Sequence, residues 1–467
     1  MPHLLGVVQG EAEHGPPGGG VTLLFALILV TLIVCLALEE KIHAKKSVIA
    51  VTFALLCLFL GDVFAILPIG VLTDVFGHEI SLPVYIPAVD WGVIAIILGS
   101  SLFVDVTSRT GLFTWIAIKL TKVSRGDPLI LLVFYGVMTV VFSAVLNNVT
   151  AMIIVGSLTG VSLKKLGRED KLLAFLIIEG LLTNIGGLLT LISSVPNIIV
   201  GTAANITFVE FFLKASPLVL VATVITLFMG AKRFQIKRLT TVEEREKANF
   251  LVSSFDENDS VESAGFFWFG AFMTFLFIVV IATTSILPYV KDLGMGYVAL
   301  GFGGIMLLRY KAVADKFYRA IDWDLLGFFA GLFVVINVME HANVLGIIGQ
   351  GLGAVVELPA TVAGGTILVA SAAFSSVTDN IPLAAMLAKI LVALETSEDS
   401  PLWWSVVFGA NLGGNLTPIG SASTLVAVTI IHKYEIPMSF GGFVKIALPF
   451  ALVQIVLATV YVLVFLG

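Results

Sequence analysis

Apolar residues in this chain come in long runs, at about 21–38, 47–70, 91–107, 128–163, 172–200, 209–230, 264–288, 294–308, 323–338, 360–394, 402–430 and 442–466. A helix that is apolar on every side belongs in a membrane or a large core, and crossing the hydrocarbon takes about 20 residues. The pattern therefore predicts an all-α polytopic membrane protein. Several runs exceed one crossing or are interrupted by Gly, Asn and Pro, which predicts broken or folded-back helices. The longest charged stretch, 232–262, divides the chain. We read a flexible polar tail over 1–20, a first half over 21–230, a charged linker over 231–263 and a second half over 264–467. The tail lacks a basic segment ahead of the first apolar run, so that run reads as a retained helix, not a cleaved signal.

The two halves resemble each other. Ala88-Val89-Asp90-Trp91 matches Ala320-Ile321-Asp322-Trp323, and Asn147-Asn148-Val149-Thr150 matches Asp379-Asn380-Ile381-Pro382, both at an offset of 232. Thr183-Asn184-Ile185-Gly186-Gly187 matches Ala410-Asn411-Leu412-Gly413-Gly414 at an offset of 227, which Thr190, Ile192 and Ser194 share with Thr417, Ile419 and Ser421. Three blocks in one order with near-constant spacing mark an internal duplication. Charge gives its sense. Basic residues flank 128–163 (Lys119, Lys122 and Arg125 before, Lys164, Lys165, Arg168 and Lys171 after), whereas 341–359 and 395–401 hold no Lys or Arg. Basic loops stay in the cytoplasm. The loops 119–127, 164–171 and 231–263 are thus expected inside an inner (cell) membrane and the equivalents of the first two outside: an inverted repeat, as in many secondary transporters. Runs 128–163 and 360–394 each leave and return on one side, as two full spans or as a re-entrant hairpin; charge alone does not choose.

Composition narrows the classes. Of 467 residues 58% are hydrophobic and 12% charged, about half the charge of a soluble domain, and mean hydropathy is +1.05. A net charge of −6 gives no reason to expect nucleic acid. Cys35 and Cys57 lie inside apolar runs and form no disulfide framework. No His-Glu-x-x-His or Cys-x-x-Cys spacing supports a metal site. No resident cofactor is expected beyond a transported or coupling ion such as Na+ or H+.

The candidate chemistry lies in the repeated blocks. Gly186-Gly187 and Gly413-Gly414 permit helix unwinding, and Thr190, Ser193, Ser194, Asn197, Asn411, Asn415, Thr417, Ser421, Ser423 and Thr424 bring oxygens and amides there. Backbone broken inside hydrocarbon must be satisfied by protein, ion or water. Unwound carbonyls suit a cation and helix N-termini an anion. The blander reading is close packing of Gly and Ser at helix crossings. Together with Asn147, Asn148, Thr150, Asn184, Thr378 and Asn380, these segments form the proposed ion site. Asp379, in an apolar run opposite Asn147 of the other half, is the sharpest proton or cation carrier, since an ionised carboxylate there demands a partner; the alternative is a helix cap. Glu179 and Asp105 (aligned with Asn337) are further carrier candidates, whereas Asp62 and Glu340 read as interfacial carboxylates.

At these blocks the sequence resembles the ion transporter superfamily that groups arsenite permeases, NhaD-type Na+/H+ antiporters, the melanosomal P protein and divalent anion–sodium symporters. The resemblance runs from about Glu39 to the C-terminus and is most specific over 142–150, 183–187, Pro196-Asn197, 379–382, 413–415 and 418–420. It implies a scaffold domain, a transport domain with two re-entrant hairpins and two unwound helices, and a homodimer working by an elevator. The symporters' Ser-Asn-Thr tips are absent, which argues against a dicarboxylate. Asn147 stands where NhaD-like proteins tend to carry Asp, and Ser193-Ser194-Val195-Pro196-Asn197 where arsenite permeases often show Gly-Asp-Pro-Pro-Asn.

The sequence reading thus puts a cation (Na+)/proton antiporter first, with the lipid bilayer and a small inorganic ion as partners. An arsenite or oxyanion permease, which would admit a partner ATPase, comes second, and a sodium-coupled anion carrier third. An intramembrane enzyme lacks a protease or transferase constellation, and no nucleotide-binding loop is present.

Overall fold

The computed structural model describes residues 17–67, 71–73, 79–311, 314–319, 321–378 and 380–466. The first half holds helices α1 (Gly19–Ala37), α2 (Glu39–Ile42) and α3 (Lys46–Val63) and a small antiparallel hairpin, β1 (Val71–Thr73) with β2 (Glu79–Ser81). It continues through α4 (Tyr85–Ala88), α5 (Trp91–Ser108), α6 (Leu112–Val123), α7 (Pro128–Val145), α8 (Asn148–Lys165), α9 (Leu172–Gly186), α10 (Val195–Ala203) and α11 (Phe208–Arg233). The linker forms α12 (Val242–Ser253). The second half holds α13 (Ala264–Ala282), α14 (Val290–Arg309), α15 (Ala314–Tyr318), α16 (Trp323–His341), α17 (Val344–Val356), α18 (Ala360–Ser375), α19 (Asn380–Ala393), α20 (Pro401–Gly413), α21 (Ala422–Lys433) and α22 (Phe440–Tyr461). Among the described residues nine helices are long and apolar enough to cross a membrane. Outward-facing Leu23, Phe59, Phe228, Trp268 and Phe275 are exposed in a way that only lipid would cover. Apart from that one small hairpin, this is a helical, multi-pass membrane fold.

The duplicated sequence folds in duplicate. Asp90 caps α5 by accepting from Val93 N at 3.0 Å, and Asp322 caps α16 by accepting from Leu325 N at 2.9 Å. Beside each cap a tryptophan indole donates 3.0 Å to a carbonyl, Trp91 to Ile86 and Trp323 to Tyr318. α5 packs along α14 and α3 along α16, so each half lends a helix to the other. Both crossings need a glycine. A Cβ on Gly99 would lie 2.3 Å from the backbone of Ala299 and Leu300, and one on Gly331, its equivalent, 2.8 Å from that of Ala50 and Val51. α14 is interrupted at Gly294, whose φ of 75° favours glycine.

Two expected boundaries shift. Helix α1 begins at Gly19, so Gly19 and Gly20 belong to it and not to the tail; residues 1–16 lie outside the described residues. The charged linker is folded, since α11 runs on to Arg233 and a Thr241–Glu244 capping box starts α12. The loops 119–127, 164–171 and 231–263 meet on one face. Lys119 and Lys122 donate to Glu257 at 3.0 and 2.5 Å, Lys165 to Ser254 O at 3.1 Å, and Leu239 N to Asp127 at 3.1 Å.

The Lys122 ammonium, the residue's own backbone N–H and then Lys119 draw Glu257 down from 4.5 to about 2. A lowered folded value contributes stability in full above the unfolded value and loses it as pH falls towards the folded one. The clamp is therefore whole at neutral pH and lost between 4.5 and about 2. Glu257→Gln is expected to loosen the linker at neutral pH, read as faster tryptic cleavage at Arg245 and Lys247. Equal cleavage of variant and wild type would show that the clamp holds nothing.

Candidate functional site

Two interrupted helices form the centre of the molecule. α9 stops at Gly186 and the chain resumes helix at Val195; α20 stops at Gly413 and resumes at Ala422. A two-helix hairpin reaches each break: α7/α8, turning at 146–147, and α18/α19, whose turn begins at 376–378. The same bonds tie hairpin to break in both halves. Ser143 donates to Thr183 O at 2.7 Å and Ser375 to Ala410 O at 2.6 Å. Thr190 donates to Ala144 O at 2.6 Å and Thr417 to Ser376 O at 2.5 Å. These threonines hold the open carbonyls of one helix end with the side chains of another, as buried helix termini require.

The glycines act differently from the sequence expectation. Gly187 and Gly414 have ordinary helical φ of −59° and −58°, so conformational freedom is not what they supply. They and their neighbours allow contact: a Cβ on Gly186 would lie 2.6 Å from Val140 O, and one on Gly413 2.3 Å from Ala372 O. Gly187 is pressed against the Asn148 amide and Gly414 against Ser421 Cβ. At these positions the packing reading wins.

Buried asparagines lock the two breaks together. Asn184 donates to Asn415 Oδ1 at 2.8 Å and to Ser421 at 2.9 Å, while Ser423 donates to it at 3.0 Å. In the reciprocal contact Ser194 donates to Asn411 at 2.7 Å, and Asn411 donates to Asn197 at 2.9 Å. Asn197 also spends both amide protons on Gly187 O and Thr190 O, at 2.7 and 2.9 Å. Asn415 reaches Gln454 on α22 at 2.8 Å, and Gln454 reaches Thr226 on α11 at 3.0 Å. Every one of these amides is buried, where an unmade bond is costly.

In front of the clasp lies a cavity of about 330 Å³. The starts of four helices open onto it: Asn147, Asn148 and Thr150 of α8, Ser194 and Pro196 of α10, Asn380 and Ile381 of α19, and Ser421 and Ser423 of α21. Asn184, Ser101, Ser108 and the charged residues Lys46, Asp105 and Asp322 complete it. Asp105 pairs with Arg109 at 3.3 Å, Asp322 caps α16, and Lys46 lies 3.7 Å from Glu39.

Of the predicted site residues, Asn147, Asn148, Thr150, Asn184, Ser194, Asn380, Ser421 and Asp105 line the cavity. Gly186, Gly187, Thr190, Asn197, Asn411, Gly413, Gly414, Asn415 and Thr417 form the layer behind it. Thr378 turns its hydroxyl back to Phe374 O at 3.0 Å. Asp379 lies outside the described residues. Glu179 is fully buried in α9, away from the cavity lining. Glu340 sits exposed, paired with Lys389 at 3.0 Å, as an interfacial carboxylate would.

Sequence reasoning missed Lys46, Ser101, Ser108 and Gln454. Lys46 stands at the edge of an apolar run and reads there as an interfacial lysine. Gln454 carried a usable signal, a lone amide inside the run 442–466.

Comparison with known proteins places this architecture. The chain is 28% identical over 427 residues to an uncharacterized transporter of Mycobacterium bovis, covering 90% of this chain and 93% of that one. It is 24% identical over 517 residues to the human P protein, covering 92% of this chain and 60% of that protein. Among solved structures it resembles the YdaH transporter of Alcanivorax borkumensis, with a TM-score of 0.56, 15% identity and coverage of 96% and 98%. MtrF of Neisseria gonorrhoeae, described as of a class of antimetabolite efflux pumps, gives a TM-score of 0.55 at 12% identity, covering 90% and 95%. The profile of the family described as citrate transporter, CitMHS, matches residues 33–409. A multi-pass helical membrane protein with a polar cavity between paired helix breaks, the chain belongs to the CitMHS family of transporters.

Proposed function

We propose that the protein is a secondary transporter that carries a small carboxylate anion through the cavity between its halves. The observation that carries this reading is the convergence of four helix N-termini on one cavity, with Lys46 among the residues that line it. Helix N-termini carry partial positive charge and unpaired N–H groups, and discontinuous membrane helices use them to hold substrate carboxylates. The family's description, citrate transporter, points the same way. The hairpin tips lack Ser-Asn-Thr, so recognition in this reading rests on helix ends and asparagine amides. On this support we put the anion reading, third on sequence alone, ahead of cation/proton antiport.

The same geometry supports a reading of the movement. The hairpins and broken helices are tied into one body by the clasp, and the crossed pairs α5/α14 and α3/α16 stand beside it as a frame. Loop charge supports opposite orientation of the halves, and the tips' meeting with mid-helix breaks supports hairpins that re-enter. We read this as an elevator, with the loops 119–127, 164–171 and 231–263 on the cytoplasmic side of an inner membrane and two copies forming a dimer.

A second reading, Na+/H+ antiport, is favoured by one observation: Glu179 is a buried carboxylate with no ion-pair partner among the described residues. Radiolabelled citrate uptake into proteoliposomes separates the two. The anion reading expects saturable uptake, with Lys46→Gln raising KM about tenfold or more, the worth of a charge-assisted bond of about 1.5–3 kcal/mol. Absence of uptake of citrate or of smaller carboxylates, with a Na+-driven collapse of a pH gradient, would replace it with antiport.

A further inference from the structure

A line of buried polar side chains runs through the first half alone. It starts at Ser124, which opens on a loop-face pocket of about 570 Å³ shared with Arg125, Asp127 and Arg245. Ser124 donates to Thr121 O at 2.6 Å. The Thr121 hydroxyl meets Tyr135 Oη at 2.6 Å, and Tyr135 Oη meets Ser162 Oγ at 2.8 Å. One helical turn along α8, about 5 Å, Thr159 donates to Glu179 Oε1 at 2.6 Å. All of these side chains are at most 3% exposed. Beyond Glu179, Thr183 donates to Glu179 O, and Ser143 links Thr183 O to the Asn148 amide that lines the cavity.

Two features turn this line into a site. Glu179 Oε2 is buried with no hydrogen-bond partner, and an ionised carboxylate left so in a membrane is among the costliest groups a protein can hold. Second, the duplication supplies an internal control. The hairpin-to-break bonds recur in the second half, but this line does not: Thr121, Tyr135, Thr159, Ser162 and Glu179 align with Gly353, Ile367, Leu391, Leu394 and Val406. Packing the same helices therefore does not require these polar groups. The half that keeps them carries them for another reason.

We propose that Glu179 is the proton-binding group of the carrier, exchanging protons with the loop face through Ser162, Tyr135, Thr121 and Ser124. The proposal rests on the secondary-transport reading and holds for either substrate. Each hydroxyl passes its proton on and takes another from its neighbour, so no charge stays on the file. The proton rests on the carboxylate; a water or a rotation of Glu179 spans the turn between Thr159 and Ser162, and a water or a rotation of the Ser124 hydroxyl away from Thr121 O spans the step to the Thr121 hydroxyl.

The surroundings suit a single titrating acid. Of the elements packed on α9, α7 presents Tyr135, and α20 carries no titratable residue. α8 bears Lys164 and Lys165 in its last turn, and the 3-10 turn Glu169–Lys171 bears its charges at the loop face. α11 has Glu210 and Lys214 near its start and Lys232 and Arg233 at its end; α21 has His432 and Lys433 in its last turn, and α22 has Lys445 and Tyr461 near its ends.

Infrared difference spectroscopy of the reconstituted full chain reads this site without substrate. Wild type is expected to show the carbonyl band of a buried protonated carboxylic acid that rises and falls with pH and that Glu179→Gln removes. Thr159→Val, which deletes the donor to Oε1, shifts that band. Citrate uptake gives the second readout: a pH gradient of one unit drives about tenfold accumulation per coupled proton, and Glu179→Gln, eluting as a folded protein, loses both that accumulation and the pH dependence of rate. Tyr135→Phe slows proton exchange without removing the band. A band that survives Glu179→Gln, or one that Thr159→Val leaves in place, overturns the proposal. If citrate is not transported but the band behaves as stated, the substrate reading fails and this one stands.

Discussion

Gly413→Ala is expected to cripple both stability and transport. The added methyl would lie 2.3 Å from Ala372 O and 2.7 Å from Ala372 Cα, and neither is a side-chain end that can swing aside. Relief requires moving α18 away from α20, although Ser375 and Thr417 hold the pair by short bonds to backbone carbonyls. Overpacking of this kind costs about 1–3 kcal/mol and sometimes more. It also displaces the hairpin tip that closes one end of the cavity. Gly186→Ala, with 2.6 Å to Val140 O, should behave alike, because it occupies the equivalent place in the first half. Gly301→Ala is the control: nothing lies within 4 Å of its Cβ, and alanine favours the helix by about 1 kcal/mol. Thermal melting in detergent together with uptake in proteoliposomes makes the comparison. If Gly413→Ala matches Gly301→Ala in both, the hairpin does not sit against the break as described.

Much of this architecture is legible in the sequence. Long runs of apolar residues carry their own signal, since no other environment tolerates them, and the duplicated blocks predicted both breaks and both hairpins at the right residues. Polar residues stranded in those runs marked Asn184, Asn411 and Asn415. What escaped the sequence has physical causes. Gly186 and Gly413 were assigned to unwinding because a glycine's two uses, backbone freedom and absence of a side chain, look the same in one dimension. Lys46 and Ser101 reach the cavity from helices of the frame, and nothing in the spacing along α3 or α5 says which face meets the other half. The order of the functional readings changed for a related reason. Carbonyls of unwound segments suggested a cation, but in the fold Asn197 and Ser193 occupy Gly187 O and Thr190 O, while the ends left facing the cavity are N-termini. The polarity of a break follows from which side of it faces the ligand.

Asn184→Ala and Asn411→Ala are expected to separate the two broken helices functionally. Asn184 makes bonds to Asn415, Ser421 and Ser423, and Asn411 to Ser194, Asn197 and Val407 O, all between 2.7 and 3.0 Å. Interhelical bonds in membranes average about 0.6 kcal/mol and reach about 1.7, so the three that Asn184 loses amount to about 2–5 kcal/mol, and the two that Asn411 loses, its bond to Val407 O lying within α20, to about 1–3 kcal/mol. The larger consequence is mechanical. In the proposed elevator both breaks travel together, and these amides, with Asn415 donating to Leu181 O, join them behind the cavity. Each variant should therefore lower uptake by tenfold or more, a barrier change of about 1.4 kcal/mol, even where a melting experiment shows the chain still folded. The two contacts brace one interface, so the double variant should cost less than the sum of the singles, a coupling above about 0.5 kcal/mol that distant, independent sites do not show. Full additivity would mean that each half holds its own break. Wild-type uptake in both single variants would mean that the halves are joined elsewhere, with the chain Asn415–Gln454–Thr226 through α22 and α11 the next place to cut.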